Sequence, residues 1–181
     1  MSFSAPLRRS GLTLAAALML GASPLVALAA TPEDTLVIAD KIDDIVSLDP
    51  AEAFEFSGVN VVNNIYDALI ELDPLQPGEL IPGHAESWEV SEDGLTFTFT
   101  MKDGVTFASG NPVRAEDAAW SLQRVIKLNK TPAFVLAQFG FTPENVDERI
   151  RAEGNQVIIT LDKPYAPSMF FNCLTAGLAS V

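Results

Sequence analysis

The side chains that could carry out acid–base, nucleophilic or metal chemistry are few and scattered in this sequence. His84 is the only histidine and Cys173 is the only cysteine. A metal site or a catalytic triad needs several such groups close together, and an intrachain disulfide needs a second cysteine. Ser109 lies in a turn sequence and lacks the strand-to-helix frame of a nucleophile elbow. We therefore predict no catalytic residue, no metal ligand and no disulfide among these three side chains.

Sequence motifs for catalysis and phosphate binding are also missing. The sequence contains no GxSxG, no phosphate-binding loop and no HExxH. Its Asp and Glu residues fall mostly at turns and on polar faces, which is typical of a solvated surface. The pattern favours a binding protein without a cofactor. A secreted enzyme such as a hydrolase remains the alternative from another functional class.

The charge balance restricts the partners. The chain of 181 residues has 24 Asp and Glu against 11 Lys and Arg, for a formal net charge of −13 at pH 7. Nucleic acids and anionic membrane surfaces repel a protein of this charge. We predict that neither is a partner, although the charge does not identify a ligand.

Residues 1–29 are typical of a secretory signal peptide. Arg8 and Arg9 form a positive start, and residues 11–20 form an apolar stretch too short to span a bilayer comfortably. Small residues follow, so we predict cleavage between Ala29 and Ala30, and an uncleaved anchor is the alternative. No cysteine lies directly after the apolar stretch, which argues against a lipoprotein anchor. The sequence predicts release into the periplasm and leaves the Sec and Tat export routes open.

Residues 85–110 contain the clearest secondary-structure pattern. Apolar residues alternate with threonines over residues 95–101, which predicts a strand with one buried face, made of Leu95, Phe97, Phe99 and Met101. Gly94 ends a short turn sequence that connects this strand to another at residues 88–90. A second turn leads to residues 105–107. We predict a meander of three strands.

The remaining elements are predicted from hydrophobic periodicity and turn residues. The residue before a proline is biased towards extended backbone, so the SLDP run at residues 47–50 predicts a turn. The apolar stripe of residues 115–128 predicts an amphipathic helix. The other predicted elements are a buried strand at residues 35–39, a helix at 58–69, a short strand at 70–72, a short helix at 133–140, and a hairpin with strands at 149–151 and 157–159.

Several of these blocks, in this order, resemble the family 5 extracellular solute-binding proteins. The likeness rests on the SLDP run, the NIYDAL run at residues 64–69, and the tryptophan strand, DG turn, alternating strand and DGV sequence of residues 88–105. It continues through the GNPV run at residues 110–113 and the helix that follows. The resemblance covers nearly all of the chain from about residue 35 onwards.

The resemblance implies an α/β fold of the class II two-lobed type found in periplasmic binding proteins. Family members are much longer, so the resemblance implies that residues 30–181 hold only the N-terminal part of lobe I, including a small β-rich subdomain. It also implies an incomplete cleft and weak ligand binding, or none, by this part alone. The apolar residues 168–181 are then expected to be exposed.

The resemblance also implies the function. Family members capture peptides or similar small solutes for an ABC importer, as monomers that dock on membrane permease subunits. A receptor for nickel, an opine or an oligosaccharide is the alternative within the same fold. By the match of motifs, Phe54, Glu55 and Phe56 would line the ligand cleft, and Phe134 would contact the ligand by stacking or as an apolar wall. Plain packing in the core is the other interpretation of the three phenylalanines.

Overall fold

The computed structural model describes residues 31–39 and 41–181. The predicted signal peptide and its cleavage site at Ala29 and Ala30 lie outside the described residues. The chain divides into two units, Met1–Ala39 and Asp40–Val181. In the first unit the described residues form an irregular segment with one turn, where the Thr35 N–H donates to the carbonyl of Pro32 at 3.0 Å.

The predicted buried strand at residues 35–39 is wrong. Leu36, Val37 and Ile38 have exposed side chains, and their backbone is not part of a strand. An apolar run becomes a buried strand only when a neighbouring strand satisfies its backbone groups. No strand pairs with this run within residues 31–39 and 41–181.

The second unit mixes helices with two antiparallel sheets. Strands β1 and β2 form one sheet, and the other has four strands in the order β3-β4-β6-β5. The α-helices and strands in chain order are α1 (Phe56–Ile65), β1 (Ile70–Leu72), β2 (Leu80–Pro82), β3 (Ala85–Val90), β4 (Thr96–Met101), α2 (Ala115–Leu128), α3 (Phe134–Ala137), α4 (Val146–Arg149), β5 (Ile150–Glu153), β6 (Gln156–Thr160) and α5 (Pro167–Leu174), and two short 3-10 helices cover Thr131–Ala133 and Gly177–Ala179.

Strand β4 confirms the alternation predicted from the sequence. Phe97 and Phe99 are completely buried and Met101 is 2% exposed, while the threonines between them remain partly exposed. Gly94 has φ +70° in the turn between β3 and β4, a conformation that glycine adopts without steric cost. The β3–β4 hairpin therefore lies where the sequence predicts it, with one apolar face.

The three-strand meander is wrong in its third strand. Residues 105–107 make only an isolated bridge, between Thr106 and Pro112. The second strand that pairs with β4 is β6, with Phe97 opposite Ile159 and Phe99 opposite Val157. Residues 157–159 of β6 are all buried, as expected for an inner strand with apolar residues on both faces.

Helix α2 has the predicted bounds and packs against β5 and β6. Its first residue follows Arg114, which lacks the short hydroxyl side chain of the common cap residues serine and threonine. The carboxylate of Asp117 instead accepts the N–H of Arg114 at 2.9 Å. Asn129 ends the helix in a left-handed conformation with φ 49°. The buried stripe of this helix consists of Ala115, Ala118, Ala119, Leu122, Val125 and Ile126.

Several other predictions differ in detail, and the short helix predicted at residues 133–140 is limited to Phe134–Ala137. Helix α1 begins at Phe56 and ends at Ile65 instead of covering residues 58–69, and its buried residues are Gly58 and Val62. Strand β1 is where it was predicted, but its partner β2 was not foreseen. Arg149 ends α4 instead of beginning β5. The predicted hairpin of β5 and β6 is otherwise present, with Glu153 opposite Gln156.

The apolar end of the chain is packed, which corrects the prediction that it would be exposed. The ring of Phe170 on α5 lies 4.7 Å from that of Phe97 and 4.9 Å from that of Phe139, measured between centroids. Phe171 contacts Trp88, Phe97 and Phe99 by ring edges. The buried face of β4 thus receives these side chains. Within the described ranges, no helix has the length and apolarity needed to cross a membrane.

Candidate ligand-binding site

The turn predicted at residues 47–50 is present and is built around Asp49. The N–H of Asp49 donates to the hydroxyl of Ser47 at 3.1 Å, and its carboxylate accepts the N–H of Ala51 at 3.0 Å. The carbonyl of Asp49 accepts the N–H groups of Glu52 and Ala53 at 2.9 and 2.8 Å. Asp49 therefore stabilises the turn by hydrogen bonds of both its backbone and its side chain.

Arg124 of α2 binds the carboxylate of Asp49 with both ends of its guanidinium. Nη1 donates to Oδ1 at 2.7 Å and Nη2 donates to Oδ2. These hydrogen bonds lower the pKa of Asp49 below its ordinary value of 3.8, against an opposing effect of partial burial. The guanidinium also lies 5.8 Å from the centroid of the Trp120 ring, within range of a cation–π contact.

Two of the predicted site residues meet on the surface. The rings of Phe54 and Phe134 lie 5.5 Å apart between centroids and meet edge to face at 80°. Phe54 follows the Asp49 turn, and Phe134 is the first residue of α3. Their side chains remain 46% and 58% exposed. We call these two residues the aromatic pair, since they contact each other and still present apolar surface to solvent.

The other two predicted residues flank the start of α1. Glu55 immediately precedes the helix, and its carboxylate accepts the N–H of Phe54 at 3.3 Å. Phe56 is the first residue of α1 and is 95% exposed. No ring contact involves Phe56 among the described residues. The structure thus brings Phe54 and Phe134 together, holds Glu55 beside Phe54, and leaves Phe56 exposed to solvent.

An open cavity of about 1120 Å³ lies beside this region. Its wall includes Asp49 and Arg124, together with the aromatic side chains Tyr66, Phe107 and Trp120. None of the four residues predicted from the sequence lines it. Asp49 and Tyr66 lie in the SLDP and NIYDAL runs, but no local pattern indicates that the wall residues meet, because separate turns and helices contribute them and only the folded chain brings them together.

His84 and Cys173, for which the sequence predicts no catalytic or metal-binding role, are both at least partly buried. His84 is 8% exposed and lines the cavity, and its burial lowers its pKa below 6.5. Cys173 is partly buried, which raises the pKa of its thiol. In residues 31–39 and 41–181, no cluster of three or more His, Cys, Asp or Glu side chains could hold a metal ion.

The fold of the described residues recurs in solved structures of periplasmic binding proteins. The murein tripeptide binding protein MppA of Escherichia coli superposes with a TM-score of 0.61 and 28% sequence identity, over 74% of this chain and 28% of that one. The structural neighbours belong to the class II fold of periplasmic binding proteins. The predicted fold class is therefore confirmed.

Sequence comparison defines the family. Residues 79–181 match the bacterial extracellular solute-binding proteins, family 5 middle, and the chain belongs to this family. A probable D,D-dipeptide-binding periplasmic protein, DdpA, of Escherichia coli strain K12 is 34% identical over 158 residues. The nickel-binding periplasmic protein of the same strain is 42% identical over 62 residues, which are 34% of this chain and 12% of that protein.

The chain spans a small part of these relatives. The match to DdpA covers 85% of this chain but only 29% of that protein. The family resemblance predicted from the motifs is confirmed.

Proposed function

We propose that this chain belongs to the substrate-binding component of an ABC importer, which captures peptides or similar small solutes in the periplasm. The main support for this proposal is the contact between the two exposed rings of the aromatic pair. Phe54 and Phe134 come from distant parts of the sequence, contact each other at 5.5 Å and stay about half exposed. An apolar surface with polar groups beside it is typical of sites that bind small molecules.

The geometry of the aromatic pair suits a ligand with an apolar or aromatic side chain. Two rings at 80° form a corner against which a third ring can pack by its edge or face. Glu55 adds a carboxylate next to Phe54, and a carboxylate attracts a ligand's ammonium group, as at a peptide's N-terminus. Phe56 would then extend the apolar surface. These four residues form the proposed ligand contacts.

The proposal includes the protein's context. The protein would act without catalysis, without a cofactor and without nucleic acid. It would be exported by a signal peptide cleaved between Ala29 and Ala30, would carry no lipid anchor, and would deliver its ligand as a monomer to membrane permease subunits. The relatives' greater length supports the view that residues 30–181 are the N-terminal part of such a protein, with more of the cleft contributed by further sequence.

A calorimetric titration tests the proposed function. The protein expressed from its own gene would be titrated with a tripeptide of alanine, phenylalanine and alanine, and separately with Ni²⁺. We expect the tripeptide to bind, and Phe54→Ala and Phe134→Ala each to weaken binding about tenfold, which corresponds to about 1.4 kcal/mol. Leu75→Ala is the matched control, because Leu75 is an exposed apolar residue of the β1–β2 turn.

Three outcomes would contradict the proposal. Unchanged tripeptide affinity in both phenylalanine variants would remove the aromatic pair from the site. Binding of Ni²⁺ without binding of the tripeptide would favour the nickel receptor, the alternative that the 42% identical relative supports. Hydrolysis of the tripeptide during the titration would favour an enzyme.

A further inference from the structure

Residues 49–54 are fastened to residues 124–134 by three side-chain contacts. Asp49 binds Arg124, Glu52 lies 3.2 Å from the ammonium group of Lys130, and Phe54 meets the ring of Phe134. The contacts follow the same order along both segments. We call this arrangement the strap, with the Asp49–Arg124 ion pair at one end and the aromatic pair at the other.

The two ends of the strap differ in how firmly they are held. Arg124 projects from the middle of α2, whose buried stripe packs on the sheet. Its guanidinium makes two hydrogen bonds to Asp49, and both side chains are about 30% exposed. The Glu52–Lys130 contact is more exposed. Exposed ion pairs contribute little, whereas a bidentate arginine–carboxylate pair fixes geometry.

The aromatic pair has little burial of its own to hold it in place. Phe54 and Phe134 are 46% and 58% exposed, so each ring could leave the contact at a small loss of buried area. Asp49 accepts hydrogen bonds from the N–H groups of Ala51, Glu52 and Ala53. Phe54 directly follows these three residues in the chain. The position of Phe54 therefore depends on how Asp49 is held.

We propose that Arg124 is a positioning residue for ligand binding, acting through Asp49 to hold Phe54 against Phe134. The proposal rests on the proposed function only in taking the aromatic pair as the ligand contact. Lysine cannot replace arginine in this role, because an ammonium group is a point charge that cannot make two parallel hydrogen bonds to one carboxylate. Arg124→Lys keeps the charge and removes the geometry.

Amide hydrogen exchange tests the positioning directly, without a ligand. In the protein expressed from its own gene, Arg124→Lys should raise the exchange rates of Ala51, Glu52 and Ala53 about tenfold. Exchange of the buried Leu122 on α2 should stay unchanged. Arg151→Lys is the matched control, because Arg151 makes an exposed ion pair with Glu153 on β5. Equal protection of the three amides in wild type and Arg124→Lys would overturn the proposal.

Tripeptide affinity distinguishes a positioning role of Arg124 from a general loss of structure. With the tripeptide of alanine, phenylalanine and alanine, Arg124→Lys should weaken binding about tenfold in the wild-type background and not at all in the Phe54→Ala background. Equal losses in both backgrounds, or no loss in either, would overturn the proposal. If the wild-type protein does not bind the tripeptide, the proposed function fails, and hydrogen exchange alone decides the role of Arg124.

Discussion

Phe97 and Phe170 contact each other with ring centroids 4.7 Å apart, although one lies on β4 and the other on α5. Both side chains are fully buried. This contact fastens the last helix of the chain to the buried face of the four-stranded sheet. It explains why the apolar residues near the end of the chain are packed rather than exposed.

Removing the ring of Phe170 should destabilise the fold strongly. Phe170→Ala deletes a completely buried side chain that contacts Phe97 and Phe139, and substitutions of this kind cost about 3–5 kcal/mol. Urea unfolding followed by circular dichroism measures the change. Met169→Ala, at a neighbouring position that is 43% exposed, should cost less than about 1 kcal/mol. Equal losses in the two variants would show that α5 is not packed as described.

A side chain at Gly140 should be poorly tolerated. Gly140 has φ +86°, and a Cβ added there would lie 2.3 Å from the Cβ of Asp162. Backbone strain and this clash together predict a loss of about 3 kcal/mol or more for Gly140→Ala. Gly104→Ala is the control, because Gly104 has φ +75° with no atom near the added Cβ, and it should lose only about 1–2 kcal/mol. Thermal unfolding distinguishes them, and equal shifts would contradict the close approach of Asp162.

The start of α2 offers a third prediction. Asp117 accepts the N–H of Arg114, so Asp117→Ala should cost about 1 kcal/mol by leaving that donor without its partner. Glu116→Ala is the control, since Glu116 is an exposed acidic residue of the same helical turn and should cost about 0.3 kcal/mol through the helix dipole alone. Urea midpoints would separate the two. A larger loss for Glu116→Ala would mean that Asp117 does not cap the helix.

His84 should make stability depend on pH near neutrality. Burial lowers its pKa below 6.5, the carboxylates of Asp67 and Glu71 oppose this shift, and the charge of Lys102 adds to it. As the pH falls through about 6.5, the unfolded chain takes up a proton that folded His84 does not, so the free energy of unfolding decreases. Above that range the effect is absent.

The measurement for His84 is urea unfolding between about pH 8 and pH 5. Over this range Asp49 stays ionised, because its pKa lies below 3.8. The wild-type free energy of unfolding should decrease towards acid, and His84→Gln should decrease less. The same slope in both proteins would show that His84 is not buried in its neutral form.

Short-range patterns in the sequence predict much of the fold. The alternation around Phe97 predicts β4 because its side-chain period matches a strand with one buried face, and the stripe around Leu122 predicts α2 because its period matches a helix. These patterns do not identify which strand lies next to β4. That depends on long-range pairing with β6, so the meander was predicted with the wrong third strand.

The candidate site was likewise predicted only in part from the sequence. The resemblance named Phe54 and Phe134 from the motifs beside them, and the structure brings their rings together. Asp49 and Arg124 are 75 residues apart in sequence, and nothing local to either residue indicates the other. The run around Leu36 was predicted as a strand because it is apolar. An apolar run forms a strand only where a partner strand is available, and the run itself does not show whether one is.

Native mass spectrometry would show whether a ligand is bound at the aromatic pair, if the protein is isolated from the periplasm of its host and kept in volatile buffer without dialysis. We expect a bound small solute of peptide mass and composition on the wild-type protein. The double variant Phe54→Ala, Phe134→Ala, isolated in the same way, should carry much less of that solute. Equal loading of the two proteins, or a wild-type protein without any bound solute, would contradict a ligand site at the aromatic pair.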